Sequence, residues 1–202
     1  MTKRTWGAVL VVGSLAALSA GAAGSPEKGA AKSAVCAACH GATGNSVNPE
    51  WPSLAGLGAD YIVAQLNNFK DGKRNNPVMM PNAMTLSADD MADLGAYFDS
   101  QRNTGLEADP ATAEAGQKLF RAGDKARGIP ACMACHGPAA RGNEAAKFPA
   151  LRGQHSVYTV KQLQDYASGA RNTGPNNIMQ TIAKKMTAED MRNVASYLQG
   201  IR

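Results

Sequence analysis

The chain has 202 residues, a formal net charge of +5 and an aromatic content of only 5%. So small an aromatic complement cannot fill the interior alone, and a large apolar group would supply much of the missing hydrophobic mass. The positive charge does not argue for nucleic-acid binding, because no arginine-rich run or aromatic-basic patch accompanies it.

The N-terminus reads as an export signal over residues 1–22. Lys3 and Arg4 supply a positive start, an apolar run follows from about Trp6 to Ala17, and small residues near Ala20-Gly21-Ala22 offer a cleavage site. The run is shorter than the roughly 20 residues of a membrane span; retention as an uncleaved anchor is the alternative. Export places the mature chain in the periplasm or on its membrane face. The remaining ~180 residues suffice for one large domain or two small ones.

A short helix is expected over residues 27–35. It leads into Cys36-Ala37-Ala38-Cys39-His40. Two thiols at this spacing can add to the two vinyl groups of one haem, and the histidine that follows can ligate its iron. Trp51-Pro52-Ser53-Leu54-Ala55-Gly56 comes next, then a middle helix through Tyr61, Gln65, Leu66 and Phe69. A loop with Met79 and Met80 precedes Ser87, an N-cap with Asp90 three residues on, a weakened capping box. Met91, Leu94, Tyr97 and Phe98 then share one helical face.

After turn and breaker residues over 103–112 the pattern repeats. A helix is expected over 113–120 and a surface loop over 121–129, before Cys132-Met133-Ala134-Cys135-His136. Phe148-Pro149-Ala150-Leu151-Arg152-Gly153 matches the 51–56 segment, and Tyr158, Gln162, Leu163 and Tyr166 match the middle helix. Gly169-Ala170-Arg171-Asn172 matches Gly72-Lys73-Arg74-Asn75. Thr187, Asp190, Met191, Val194 and Tyr197 repeat the capped last helix. The domains are thus expected at 23–103 and 113–202, joined by a linker over 104–112. No strand pair is expected.

The two motifs use all four cysteines. A zinc ribbon brings its cysteine pairs within about 15–20 residues, whereas Cys39 and Cys132 lie almost half the chain apart. A redox dithiol would need a strand–helix–strand setting, which is absent from the pattern. Two covalent haems fit best. Their four propionates would take a mature charge near +3 to about −1.

Each iron then needs a sixth ligand or an open position. Of three histidines only His155 lies outside the motifs, and it reads as a surface or helix-end residue. Methionine is the better candidate, since a soft thioether favours ferrous iron. Met179 and Met79 stand at the same distance before their caps Thr187 and Ser87. Met80 remains a rival to Met79. Met91 and Met191 sit at apolar helical spacing and read as core fillers. Pro52 and Pro149 follow their histidines at nearly equal distances, so their carbonyls can accept from the second ring nitrogen of His40 and His136.

With these residues in place, each half resembles a class I cytochrome c domain, and the tandem resembles the cytochrome c4 family. The resemblance implies an all-α fold of two such domains related by a pseudo-twofold axis, with the haems facing each other across the interface. It implies haem attachment through Cys36, Cys39, Cys132 and Cys135, with iron held by His40, Met79, His136 and Met179. One departure is Ser33, where the second half has Phe120. The function implied is electron transfer without substrate chemistry. Its partners would be redox proteins such as a terminal oxidase, a cytochrome complex or a small electron carrier; peripheral membrane association is left open. The alternative is a dihaem subunit of a flavocytochrome-type oxidoreductase. A small catalytic dihaem enzyme would need an open iron, against which the paired methionines count.

Overall fold

The computed structural model describes residues 24–202, and the expected export signal lies outside the described residues. The first half holds α1 (Pro26–Lys32), α2 (Ala34–His40), α3 (Ala59–Lys70), α4 (Met79–Met84) and α5 (Ala88–Ser100). The second holds α6 (Pro110–Ala122), α7 (Met133–His136), α8 (Ser156–Ser168), α9 (Ile178–Ala183) and α10 (Ala188–Gly200). Among the described residues the only β pairings are two isolated antiparallel bridges, Asp124–Ile129 and Asn143–Phe148.

Local chemistry sets the helix ends. Ser87 and Thr187 each accept from the backbone N–H three residues on, and Asp90 and Asp190 return the bond, so both capping boxes are complete despite the shorter acid. Helix α6 starts at Pro110, inside the segment expected to be linker. Asp109 caps it by accepting from Ala111 N, and Pro110 fills the first position, where its missing N–H costs nothing. The same two residues read as breakers in the sequence. The segment expected as a surface loop also differs: Ile129 is buried in the second core, held by the bridge to Asp124.

In each half the first helix crosses the last at a glycine. A Cβ on Gly29 would lie 2.0 Å from Asp93 O, and one on Gly116 would lie 2.0 Å from Asn193 O. Only a hydrogen fits, so each crossing brings backbone against backbone. Gly116→Ala should therefore push α6 off α10 and destabilise the second half by about 1–3 kcal/mol or more. Thermal unfolding followed at the two haems should show one half weakened and the other unchanged.

The cores differ in size. Phe120 stacks against Tyr197 at 5.5 Å and joins Leu119, Ile129, Val194 and Leu198. In the first half, buried Ser33 occupies the corresponding place and turns its hydroxyl onto Ala30 O. The first core is the smaller cluster of Ile62, Leu94 and Phe98.

The halves meet through reciprocal polar contacts. Arg74 donates to Gln65 in its own half, and to Tyr158 and Gln162 across the seam. Arg171 donates to Gln162 in its own half, and to Tyr61 and Gln65 across the seam. Exchanging the halves reproduces the set, as a pseudo-twofold relation requires.

Candidate functional site

Each Cys-x-x-Cys-His motif closes a short helix. Cys36, Cys39 and His40 end α2, and Cys132 to His136 form α7 with its cap. Residues three and four apart lie on one helix face, so each half presents two thiols and an imidazole together. All four cysteines are free and half-buried. Burial pushes the Cys36 thiol up and the Cys132 thiol up to about 11, so both are held as neutral thiols in apolar surroundings. The chain reverses directly after each histidine, at Gly41 and Gly137, both in the left-handed region. A Cβ on Gly41 would lie 2.2 Å from Asn45 O.

Both imidazoles are buried and oriented from behind. His40 Nδ1 donates to Pro52 O at 2.8 Å, and His136 Nδ1 donates to Pro149 O at 2.9 Å. A carbonyl can only accept, so the proton sits on Nδ1 and Nε2 keeps its lone pair for a metal. Burial, opposed by the proline carbonyls, holds both imidazoles below the ordinary histidine range. They are therefore neutral at pH 7, as iron ligation requires.

Met79 opens α4 and Met179 is the second residue of α9, so both stand in helical turns rather than in the expected loops. The entry to α9 is bent by Asn176 and Asn177, both at positive φ, which explains why no helical periodicity announced it. Met79, Met80 and Met179 are all half-buried. Ala83 and Ala183 are fully buried in the two helices. Counting back from them pairs Met79 with Met179 and Met80 with Gln180. Met91 and Met191 are buried in α5 and α10, as core fillers should be.

His155 departs from expectation. It does stand at a helix end, as the N-cap of α8, but it is only 5% exposed. Its Nε2 donates to Ser46 O of the other half at 2.8 Å. That bond gives the buried ring a partner in the other half, a contact across the seam. Sequence reasoning also gave no role to Arg74 and Arg171, although both recur in the repeat. The available signal is matched polar residues: Gln65 with Gln162 on the middle helices, and Arg74 with Arg171 in the loops that follow them.

The chemistry of these residues fits haem. Among the described residues no group of three or more His, Cys, Asp or Glu is arranged to hold a bare metal ion. Arg171 is 4% exposed, yet its partners and those of Arg74 are tyrosines and glutamines, not carboxylates. Arg171 Nε, Thr173 Oγ1 and Gln180 Oε1 are buried without partners. A buried guanidinium needs a counter-charge, and haem propionates are anions of the right kind.

A Cytochrome c family model matches residues 26–102 and 113–202. Each half is a cytochrome c domain. The cytochrome c4 of Pseudomonas aeruginosa is 47% identical over 181 residues, covering 89% of this chain and 90% of that protein. The crystal structure of reduced recombinant cytochrome c4 from Pseudomonas stutzeri matches with a TM-score of 0.86 at 44% identity. That match covers 89% of this chain and 100% of the other. The thiosulfate dehydrogenase electron acceptor of Thiomonas intermedia is 40% identical over 195 residues, covering 94% of this chain and 89% of that protein. The chain belongs to the cytochrome c4 family of dihaem electron-transfer proteins, and it carries two covalently attached haem c groups.

Proposed function

We propose that the protein is a periplasmic electron carrier with no substrate chemistry of its own, passing electrons between respiratory partners and toward a terminal oxidase. The observation that carries this reading is the repeated ligand pair: His40 with Met79 and His136 with Met179. Bound haem iron supplies a one-electron ferric–ferrous couple. The residues do the rest. Cys36, Cys39, Cys132 and Cys135 fix the two groups covalently. His40 and His136, held by Pro52 and Pro149, ligate from one side. Met79 and Met179 would supply the second ligand to each iron and so keep exogenous ligands out. The buried alanines favour Met79 over Met80, since Met80 falls opposite a glutamine. With both ligands in place, neither iron would have an open position for substrate, and little would need to rearrange on reduction.

The first domain begins near residue 23, after the export signal, and the second begins at Pro110, where α6 starts. Mass spectrometry of the denatured mature protein should give the mass of residues 23–202 plus two haems. A mass that includes residues 1–22 would mean the leader is kept as an anchor.

A second reading makes the chain the acceptor for one dedicated oxidoreductase. It is favoured by the likeness to the thiosulfate dehydrogenase electron acceptor. Two stopped-flow mixings separate them. In the first, reduced protein meets membranes holding a terminal oxidase. In the second, oxidised protein meets thiosulfate dehydrogenase with thiosulfate. Fast cyanide-sensitive reoxidation in the first supports the proposal. Its absence, with fast reduction in the second, would favour the dedicated acceptor. Rapid carbon monoxide binding by the unmodified reduced protein would overturn the closed-iron reading.

A further inference from the structure

One peptide group orients the first half's histidine, and its other end is held by the second half. Pro52 C=O accepts from His40 Nδ1 at 2.8 Å. The N–H of that same peptide belongs to Ser53, and it donates to Gln154 Oε1 at 2.9 Å. Gln154 Nε2 donates back to Ser53 O at 2.9 Å. A single side-chain amide thus pairs with Ser53 as a neighbouring strand would. Gln154 and Ser53 are both buried, so water does not compete for these bonds.

The adjacent residue extends the grip. His155 Nε2 donates to Ser46 O, and Ser46 Oγ donates to Cys39 O at 3.2 Å. Ser46 N donates to Ser53 Oγ at 3.3 Å. Two consecutive residues of the second half therefore hold both sides of the loop behind the first motif. Nothing returns the favour. The positions matching Gln154 and His155 in the first half are Leu57 and Gly58. Ala150 N–H, the donor on Pro149's peptide, has no acceptor among the described residues.

The geometry points to Gln154 as a positioning residue for the axial histidine of the first haem, acting across the domain seam. A peptide that donates through its N–H becomes a stronger acceptor at its carbonyl, because hydrogen bonds in a chain polarise one another. A stronger acceptor at Pro52 O draws on the Nδ1 proton of His40 and makes Nε2 a more basic ligand. A more basic ligand favours ferric iron. Gln154 thereby lowers the reduction potential of the first haem while fixing the plane of the imidazole. The inference rests on His40 ligating the first iron.

The test is Gln154→Met in the full dihaem protein, close in volume and without either hydrogen bond. Potentiometry should show the first haem's ferrous-to-ferric ratio at fixed potential rising about threefold, or about 28 mV at 59 mV per decade. The second haem should not move. In the reduced protein the His40 Nδ1 proton should shift upfield as its hydrogen bond weakens. Tyr158→Phe, which removes a different bond across the seam, should change neither quantity. An unmoved first potential and an unmoved His40 proton would overturn the inference. So would a shift shared by both haems or reproduced by Tyr158→Phe, because either would mean general loosening of the interface. Should Gln154→Met not acquire two haems, Gln154→Asn is measured in the same way, since its amide is one methylene too short to span both atoms of Ser53. The hyperfine-shifted imidazole resonances of the oxidised protein report ligation by His40 independently. Their absence would sink the ligand assignment, whereas His40 bound at an unaltered potential would sink only the role of Gln154.

Discussion

Met179→Ala should turn one low-spin, closed haem into one that binds carbon monoxide or cyanide, and leave the other haem's spectrum as it was. Met179 is half-buried in the first turn of α9, opposite in the repeat to Met79 in α4. Its thioether favours ferrous iron, so removing it lowers that haem's potential. A hundredfold change in the ferrous-to-ferric ratio, about 120 mV at 59 mV per decade, is the scale expected. Met191→Ala is the control. Met191 is buried in α10 among core side chains, so its truncation should cost about 2–5 kcal/mol of stability and leave both iron spectra intact. Two unchanged Met/His spectra in Met179→Ala would show that the ligand assignment is wrong.

His136→Ala should have the larger effect on folding. The variant loses a buried group whose Nδ1 is tied to Pro149 O, together with the ligand bond that draws haem into the second core. Loss of metal ligation belongs to the short list of changes that exceed ordinary mutational costs. At about 3 kcal/mol it would lower the melting temperature of a domain this small by roughly 12–24 °C. The first haem should keep its Met/His spectrum, because its own ligands lie in the first half, while its potential would move only as far as the loosened second half releases the Gln154 contact to Ser53. Potentiometry and differential melting at the two haem bands together check this. A variant that melts like the unmodified protein would contradict the dependence of the second core on its cofactor.

Much of this architecture was legible in the chain because local chemistry carries it. Cys-x-x-Cys-His states its own cofactor. Ser87 with Asp90, and Thr187 with Asp190, announce helix starts that form as expected. Met91 and Met191 sit at apolar spacing and are buried. What escaped lies across the seam. His155 reads as a surface or helix-end residue; it is a helix end, but nothing near it in sequence reveals its burial against Ser46. Gln154 carries no sequence signal for the same reason. Arg74 and Arg171 appear as matched letters without a role, because contacts between separately folded halves have no periodicity along the chain. Ile129 falls among glycines and charges, and only the bridge back to Asp124 turns it into the core. The start of α9 is hidden by two asparagines in a left-handed conformation.

The reciprocal seam of Arg74, Gln65 and Tyr61 against Arg171, Gln162 and Tyr158 has the form of a homodimer contact, each surface complementary to its own copy. Two separate copies of one half could form it. They could not form the one-way hold of Gln154 on Ser53, because any side chain that reached across would do so twice. Joining the copies in a single polypeptide removes that constraint. Each position is then inherited twice and can drift once, so a substitution such as glutamine opposite leucine is felt on one side alone. Covalent linkage thus gives the pair more than proximity: it allows two haem domains of one pattern to diverge while still sharing one interface.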